Sequence, residues 1–322
     1  MIDLMPLFRE TNAYRTVREE LSAGRLSHAY LVLSADGENL PNYLKILAKM
    51  IVADGDERAE DLIERGVHPD VLTFPVNGKA VLKEDVAKII EESYLKPVEG
   101  DRKLFLINDG ESMLAVSQNK LLKTLEEPPK GVCIIIGATS EFPLLSTVKS
   151  RLKKLVIPPY DNERLFNALK DDCPVTDRLI EAIACGDGTV GKAVALYKDE
   201  ELERTIDIAV DVICNMQTSR SVLEYSVVIA GSKDGISGFL PVFQLLIRDM
   251  LAYHTAGDGA VSNKKLFDRI KNAQGFSTGA CVRIAESITE AQRRLNANAN
   301  PQAVTEWLLF ATLEGKHIWQ KL

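Results

Sequence analysis

The pattern of apolar and polar residues predicts that the first half of the chain alternates strands with helices. The strand candidates are short runs rich in Val, Ile and Leu, at residues 28–33, 71–75, 103–107, 132–138 and 154–157. The helix candidates have apolar residues at helical spacing, at residues 11–23, 43–53, 82–94 and 118–127. The run 132–138 is almost unbroken in apolar residues, which is typical of a strand covered on both faces. We therefore expect a parallel sheet.

The second half of the chain reads as helical. Pro158-Pro159 marks a boundary, and three short helical segments follow at 162–170, 177–185 and 189–198. From residue 201 onward the chain shows helical spacing without strand signals, with expected helix starts at Ser277 and Asn300-Pro301. One apolar stripe is too wide for a helix that exposes a whole side: Phe239, Leu240, Phe243, Leu246, Ile247, Met250 and Leu251. This stripe is either the domain's own core or partly an interface between subunits.

Composition and charge narrow the class of protein. At 322 residues the chain can hold two or three domains, and its 46% hydrophobic and 26% charged residues are those of an ordinary globular protein. A formal net charge of −7 argues against a dedicated nucleic-acid binder but allows a local basic strip within an assembly. The five cysteines are scattered without zinc-ligand spacing, so we expect free thiols. With no signal-peptide pattern and no apolar run near the ~20 residues of a membrane span, we expect a soluble, cytoplasmic protein.

The most specific stretch of the sequence covers residues 118–155. Residues 119–129 read NKLLKTLEEPP, the predicted strand 132–138 comes next, and Ser150-Arg151-Leu152 follows. This order resembles the clamp-loader branch of the AAA+ ATPases, whose signature runs NALLKTLEEPP, a strand, and SRC. The start of the first strand, HAYLVL, is also similar to the HAYLF segment of that branch, and His68-Pro69-Asp70 matches its His-Pro-Asp segment.

The resemblance implies an α/β domain followed by all-α domains. Residues 1–158 would form the AAA+ parallel-sheet module, residues 159–200 a three-helix lid, and residues 201–322 a helical collar that serves oligomerisation. Relatives often carry a four-cysteine zinc module before the His-Pro-Asp segment, but here no cysteine precedes His68. We therefore expect no bound metal and a structural or surface role for this histidine.

The loop after the first strand departs from a working phosphate loop. The pattern G-x-x-x-x-G-K-[ST] uses glycines to let N–H groups reach phosphates, a lysine for their charge and a hydroxyl for Mg²⁺. Aligned from the strand, Ser34 and Asn39 replace the two glycines, Leu40 replaces the lysine, and Pro41 replaces the hydroxyl residue. The loop retains one glycine, Gly37. Leucine has no charge, proline has neither hydroxyl nor N–H, and Asp36 and Glu38 add negative charge. Either a nucleotide site was abandoned or the loop never bound phosphate, and in both cases we expect no ATP hydrolysis and no cofactor.

Two further positions agree with this interpretation. In active relatives the third strand ends in an Asp that holds Mg²⁺ and a Glu that prepares the attacking water, whereas Asn108 and Asp109 stand here. A neutral amide is a poor replacement for a metal-binding carboxylate. By resemblance, Thr139 occupies the polar sensor position that reads the γ-phosphate, and we expect it to be a structural remnant. Acidic residues at a strand end are nevertheless common in α/β proteins.

Arg151 is the catalytic feature that the resemblance leaves in place. In relatives, the arginine of the SRC motif crosses the subunit boundary and meets the γ-phosphate of ATP held by the neighbour. A guanidinium suits this role because it is permanently charged and its fork matches phosphate oxygens. Ser150 precedes it as in the motif, and Leu152, in place of cysteine, is expected to be a packing substitution. The alternative is a lone arginine that pairs with an acid on a solvated surface.

Together, the retained fold, the altered phosphate loop and the retained arginine predict a member of the branch that is not an enzyme by itself. By resemblance, it would be an accessory subunit of a replicative DNA polymerase, in a five-membered ring with ATP-binding gamma/tau subunits and a delta subunit. Such a ring opens a sliding clamp and loads it on primer–template DNA. No membrane partner is expected. Two alternatives stay open: an ATP-hydrolysing gamma-type subunit with an unusual loop, and a non-replicative scaffold that keeps the AAA+ shape.

Overall fold

The computed structural model describes residues 2–76, 78 and 80–318 of the chain. The chain divides into two compact units, Met1–Arg164 and Leu165–Leu322. The predicted fold class is confirmed, because a parallel sheet with helices forms in the first unit and helices without strands form in the described part of the second. The division into three domains, with limits at residues 158 and 200, stays a prediction.

The first unit is built on a five-stranded parallel sheet in the order β2-β3-β4-β1-β5. The strands are β1 Ala29–Ser34, β2 Val71–Phe74, β3 Lys103–Ile107, β4 Val132–Ala138 and β5 Lys153–Ile157. Every residue of β3 and β4 is buried, as expected for apolar strands covered on both faces. The predicted limits of β3 and β4 are confirmed, and the other three strands differ by one residue at one or both ends.

Helices surround this sheet. They are α1 Met5–Arg9, α2 Asn12–Ser22, α3 Leu40–Ala48, α4 Glu57–Glu64, α5 Lys83–Ser93, α6 Ala115–Glu126 and α7 Ser146–Lys149. Helix α3 begins earlier than predicted and continues into a π-helical turn, Lys49–Ala53. Helix α4 was not predicted; its signals are Asp56, which accepts a hydrogen bond from the N–H of Arg58, and the buried pair Ala59 and Ile63. A cap followed by apolar residues four apart is typical of a short amphipathic helix.

Two motifs of the sequence have structural roles in the first unit. Leu152 packs into the core formed by the sheet with α5, α6 and α7, which confirms the packing substitution. The buried carboxylate of Asp70 accepts hydrogen bonds from the N–H groups of residues 98–100, at 2.6, 2.8 and 3.3 Å. The ring Nδ1 of His68 accepts from the N–H of Asp70 at 3.1 Å. His68 is therefore a structural histidine that fixes the turn before β2.

The remaining helices begin at the end of the first unit and fill the second. They are α8 Asn162–Leu169, α9 Asp177–Cys185, α10 Val190–Lys198, α11 Leu202–Asn215, α12 Ser219–Ala230, α13 Gly235–Ala256, α14 Lys264–Asp268, α15 Thr278–Asn296 and α16 Pro301–Ile318. The predicted helix starts are confirmed, because Ser277 accepts from the N–H of Ala280 at 3.2 Å and Asn300 from the N–H of Ala303 at 3.2 Å.

The apolar stripe lies on α13 and is buried almost entirely in the core of the second unit, so most of it is the unit's own core rather than exposed surface. Within the stripe, Phe239 and Phe243 stack with their ring centroids 5.1 Å apart. By length and composition α13 is also apolar enough to cross a membrane, which the sequence prediction missed. The buried central helix of a globular core has the same length and composition, so this likeness is weak evidence for a span.

Candidate functional site

A cleft of about 570 Å³ lies at the carboxyl ends of the strands in the first unit. Its lining comes from the segments that follow β1, β2, β3 and β4: Gly37, Leu40, Pro41, Pro75, Gly78, Ala80, Asn108, Asp109, Glu111 and Thr139. This is the edge at which open α/β sheets usually bind their ligands. The fold thus gathers most of the residues that the sequence assigned to an altered nucleotide site. Ser34, at the end of β1, and Asn39, in the loop that follows, are not among the lining residues.

Asp36 organises the loop between β1 and α3. Its N–H donates to Oγ of Ser34 at 3.1 Å, and its carboxylate accepts from the backbone N–H and the side-chain amide of Asn39, at 3.3 and 3.1 Å. A helix start attracts anions because its first N–H groups are unpaired and the helix dipole is positive there. Here the anion is the Asp36 carboxylate, which is only 5% exposed. The chain thus supplies its own negative charge where a phosphate loop would receive phosphate.

Leu40, at the position of the phosphate-binding lysine, belongs to the core. It is 1% exposed and packs against β4, where a β-carbon added to Gly137 would lie 3.1 Å from Cγ of Leu40. The loop also contacts the end of β4, because a β-carbon added to Gly37 would lie 3.0 Å from Cγ2 of Thr139. Helix start, loop and strand end are therefore packed directly on one another.

Glu111 holds the sensor position. Its carboxylate accepts hydrogen bonds from the N–H of Thr139, at 2.9 and 3.1 Å, and also from the Thr139 hydroxyl. The N–H and the hydroxyl of Thr139 are therefore both bound by a carboxylate of the same chain. This contact is consistent with the predicted structural role of Thr139. Glu111 was missed as a functional residue, since its only signal was an acidic side chain shortly after a strand.

Asn108 and Asp109 follow β3 at the cleft. The N–H of Asn108 donates to the carbonyl oxygen of Phe74 at 2.8 Å, while its buried Oδ1 has no hydrogen-bond partner in the described part of the chain. The lining residues that the structure describes include the carboxylates of Asp109 and Glu111 but no lysine or arginine. A polyphosphate would meet like charge from these described lining residues. The described residues of the cleft therefore do not fit Mg²⁺-ATP.

Arg151 lies on the surface of the first unit, just after α7, with its side chain 33% exposed. Its Nη1 donates to the carbonyl oxygen of Thr147 at 2.6 Å and to Oγ of Ser150 at 3.3 Å, and its Nη2 forms an ion pair with Glu126. Ser150 also donates to the carbonyl oxygen of Thr147, at 3.0 Å. We call this group, Glu126, Thr147, Ser150 and Arg151, the arginine corner. Both hypotheses for Arg151, a role in a neighbour's ATP site and a surface pair with an acid, stay open. The guanidinium is accessible, and it is also paired with an acid.

Lys154, in the strand that follows Arg151, is paired with an acid of its own. Lys154 donates to both carboxylate oxygens of Glu141 at 2.9 Å, and this contact holds the pKa of the Glu141 carboxyl below its usual range. The cleft lining does not include Ser150 or Arg151, so the described structure does not bring the arginine to the cleft of its own chain. Lys192, given little weight from the sequence, pairs with Asp187 at 3.1 Å on the surface of the second unit.

Comparisons with known proteins agree with this architecture. A family model described as "DNA polymerase III, delta subunit" matches residues 9–161. The chain is 26% identical over 304 residues to DNA polymerase III subunit delta' of Bacillus subtilis, a match that covers 90% of this chain and 92% of the relative. It is 26% identical over 189 residues to subunit delta' of Escherichia coli, covering 55% of this chain and 57% of that relative. To subunit gamma of Buchnera aphidicola it is 28% identical over 159 residues, covering 47% of this chain and 44% of the relative.

The match to the Bacillus subtilis relative is nearly complete in both directions, whereas the chain spans about half the length of the other two relatives. The family model matches residues 9–161, which fall within the unit that carries the cleft and the arginine corner. The predicted resemblance to clamp-loader proteins is confirmed.

Proposed function

We infer that this chain is a delta-prime subunit of a DNA polymerase III clamp loader, and thus an accessory protein of DNA replication. We propose further that it binds no ATP and lends Arg151 to the ATP site of the neighbouring subunit. The observation that carries this proposal is a contrast within the first unit: the cleft holds its own carboxylates, while a guanidinium outside the cleft stays accessible.

The absence of ATP binding is supported by three contacts. The Asp36 carboxylate accepts from Asn39 just before α3, Leu40 is buried against β4, and Glu111 accepts from the N–H and the hydroxyl of Thr139. A triphosphate would meet two carboxylates, and leucine stands at position 40 where a phosphate loop has its lysine. The catalytic steps of ATP hydrolysis are therefore left to another subunit.

The role of Arg151 in trans is supported by its position and chemistry. It follows a short helix, and the buried Leu152 anchors it to the sheet from behind. A guanidinium delivered from a rigid corner can stabilise charge that develops on a transferring phosphoryl group, an effect worth ~10³–10⁵ in rate for well-studied arginine fingers. Ser150 hydrogen-bonds the same guanidinium and would help to orient it.

The partners follow from the same proposal. The chain would join gamma/tau and delta subunits in a ring, and through that assembly it would act on the sliding clamp and primer–template DNA in the cytoplasm. Gamma and tau subunits are among its relatives, which supports a clamp-loader complex as the setting. The clamp and the DNA belong to the proposal.

The test is ATP hydrolysis by a reconstituted clamp loader that contains the full chain. We expect Arg151→Ala to leave assembly intact and to lower hydrolysis at the neighbouring site by about 10³-fold. Arg58→Ala is the matched control, because Arg58 is 75% exposed and pairs with Glu99 on the same unit. An unchanged rate for Arg151→Ala would favour the non-replicative scaffold instead.

A calorimetric titration of the isolated chain with Mg²⁺-ATP tests the other half of the proposal. We expect no heat of binding at millimolar nucleotide, because the cleft presents carboxylates where phosphate would lie. Micromolar affinity would instead identify a gamma-type ATPase with an unusual loop.

A further inference from the structure

Arg151 is not free in its own chain, since three acceptors of the arginine corner hold it. Two of them are neutral oxygens of the α7 turn, and the third is the carboxylate of Glu126 at the end of α6. We propose that Glu126 is a positioning residue that parks Arg151 on its own subunit until a neighbour's nucleotide competes for the guanidinium. This inference rests on the proposed role of Arg151 in trans.

The position of Glu126 in its helix supports a role beyond the helix. It is the last residue of α6, and the negative end of the helix dipole disfavours a carboxylate there. Lys123, one turn earlier, is the basic residue that suits this end. The Glu126 carboxylate nevertheless forms its ion pair with Arg151, which comes from a different part of the fold. A locally unfavourable residue with a specific long-range partner is the kind of exception found at functional sites.

The donors of the guanidinium explain how the parking would work. Arginine has five N–H bonds, of which Nη1 uses two and Nη2 at least one in the arginine corner. A phosphate needs a forked pair of donors, so full engagement draws on the part of the guanidinium that Glu126 holds. A carboxylate left beside a bound phosphate would also repel it. Phosphate and Glu126 are therefore competitors for Arg151.

The strength of the pair suits a reversible device. The side chains of Arg151 and Glu126 are 33% and 47% exposed, and ion pairs with this exposure are weak. Such a pair biases the guanidinium without trapping it, so the effect on rate is modest. We expect removal of the Glu126 charge to raise hydrolysis by the unstimulated complex two- to fivefold, an estimate of about the size that a surface pair supports.

The experiment compares single-turnover ATP hydrolysis by the reconstituted loader with and without primer–template DNA. Glu126→Gln should raise the rate without DNA two- to fivefold and change the DNA-stimulated rate by less, because stimulation already favours the engaged arginine. Glu126→Asp, which keeps the charge, should restore most of the wild-type behaviour. Glu127→Gln is the matched control: Glu127 is the next residue, is exposed, and forms no ion pair with Arg151 in the described structure.

The double variant Glu126→Gln/Arg151→Ala separates positioning from simple structural damage. If Glu126 acts through Arg151, the double variant should have the rate of Arg151→Ala alone, and a loss of packing would not produce the gain seen in the single variant. A Glu126→Gln rate equal to or below wild type, with Arg151→Ala still impaired, overturns the parking role alone. If Arg151→Ala itself has no effect, the proposed function fails first.

Discussion

The cleft and the arginine corner lie in one folded unit, yet their charged groups are used in opposite ways. Beside and within the cleft, Asp36 and Glu111 accept hydrogen bonds from Asn39, just before α3, and from Thr139, just after β4. At the corner, Arg151 is held at the surface by an exposed ion pair and two hydrogen bonds. The difference teaches that one folded unit can pair its carboxylates internally in one place and leave a guanidinium accessible in another.

The physical basis of this contrast is the source of the folding stability of the first unit. The sheet is covered by apolar side chains on both faces, so its folding does not depend on a bound phosphate. Asp36 accepts hydrogen bonds from Asn39 just before α3, so a carboxylate of the chain already lies beside this helix start. The arginine corner does not need a bound ligand for stability either, because the buried Leu152 anchors it and the Arg151 side chain is partly exposed to solvent.

The largest expected effect tests whether Arg151 acts through the paired N–H donors of its guanidinium or only through its positive charge. Arg151→Lys keeps the positive charge but loses the planar pair of donors, so we expect hydrolysis at the neighbouring site to fall by about 10²-fold or more. Single-turnover kinetics of the reconstituted loader measure this, with Arg58→Lys as the control. A lysine variant within threefold of wild type would mean that charge alone suffices.

The next test asks whether a single substitution at position 40 can create ATP binding in the cleft. Leu40→Lys should lower the free energy of unfolding by about 3–5 kcal/mol, because it places an ammonium in the core without a partner, and it should not create ATP binding. Urea unfolding and calorimetric titration of the full chain check both outcomes. Leu40→Met is the control and should cost less than about 1.5 kcal/mol. A stable, ATP-binding lysine variant would contradict the packing seen at β4.

A smaller effect is expected from the contact that holds the sensor position. Glu111→Ala should lower the free energy of unfolding by about 1 kcal/mol, since water can replace part of the lost bonds at an exposed Thr139. Hydrogen exchange of the Thr139 N–H should become faster in this variant. Asp109→Ala, in the same cleft, should stay within about 0.5 kcal/mol of wild type. Equal exchange rates in both variants would remove Glu111 as the group that holds Thr139.

The smallest expected effect is at Ser150. Its hydroxyl shares one 3.3 Å hydrogen bond with Arg151 and is exposed, so Ser150→Ala should change hydrolysis by no more than about threefold. The same single-turnover assay measures it beside Arg151→Ala. A loss as large as that of Arg151→Ala would place Ser150 in direct contact with the neighbour's nucleotide.

Much of the fold was predictable because its signals are local. The limits of β3 and β4 follow from unbroken apolar runs, and the starts of α15 and α16 follow from Ser277 and Asn300-Pro301. Helix α4 has a local cap at Asp56 but was not predicted, because its eight residues bury only Ala59 and Ile63 and so give a weak periodic signal.

The contacts of the two sites were less predictable. Glu111 meets Thr139, and Glu126 meets Arg151, through pairings that join separate segments of the chain. No periodicity or motif encodes which carboxylate a side chain will find. Asp36 is an exception, because an aspartate three residues before Asn39 at a helix start is a recognisable local pattern.

The burial of Leu40 has a consequence for how such a chain can change over generations. A lineage that regained the lysine first would pass through a destabilised ancestor, and one that regained the hydroxyl at Pro41 first would still lack the cation. Neither single reversion improves nucleotide binding while Asp36 keeps its place at the helix start. Under the proposed function, packing at this one leucine makes a return to nucleotide binding costly, and selection acts on what the subunit gives to its neighbour.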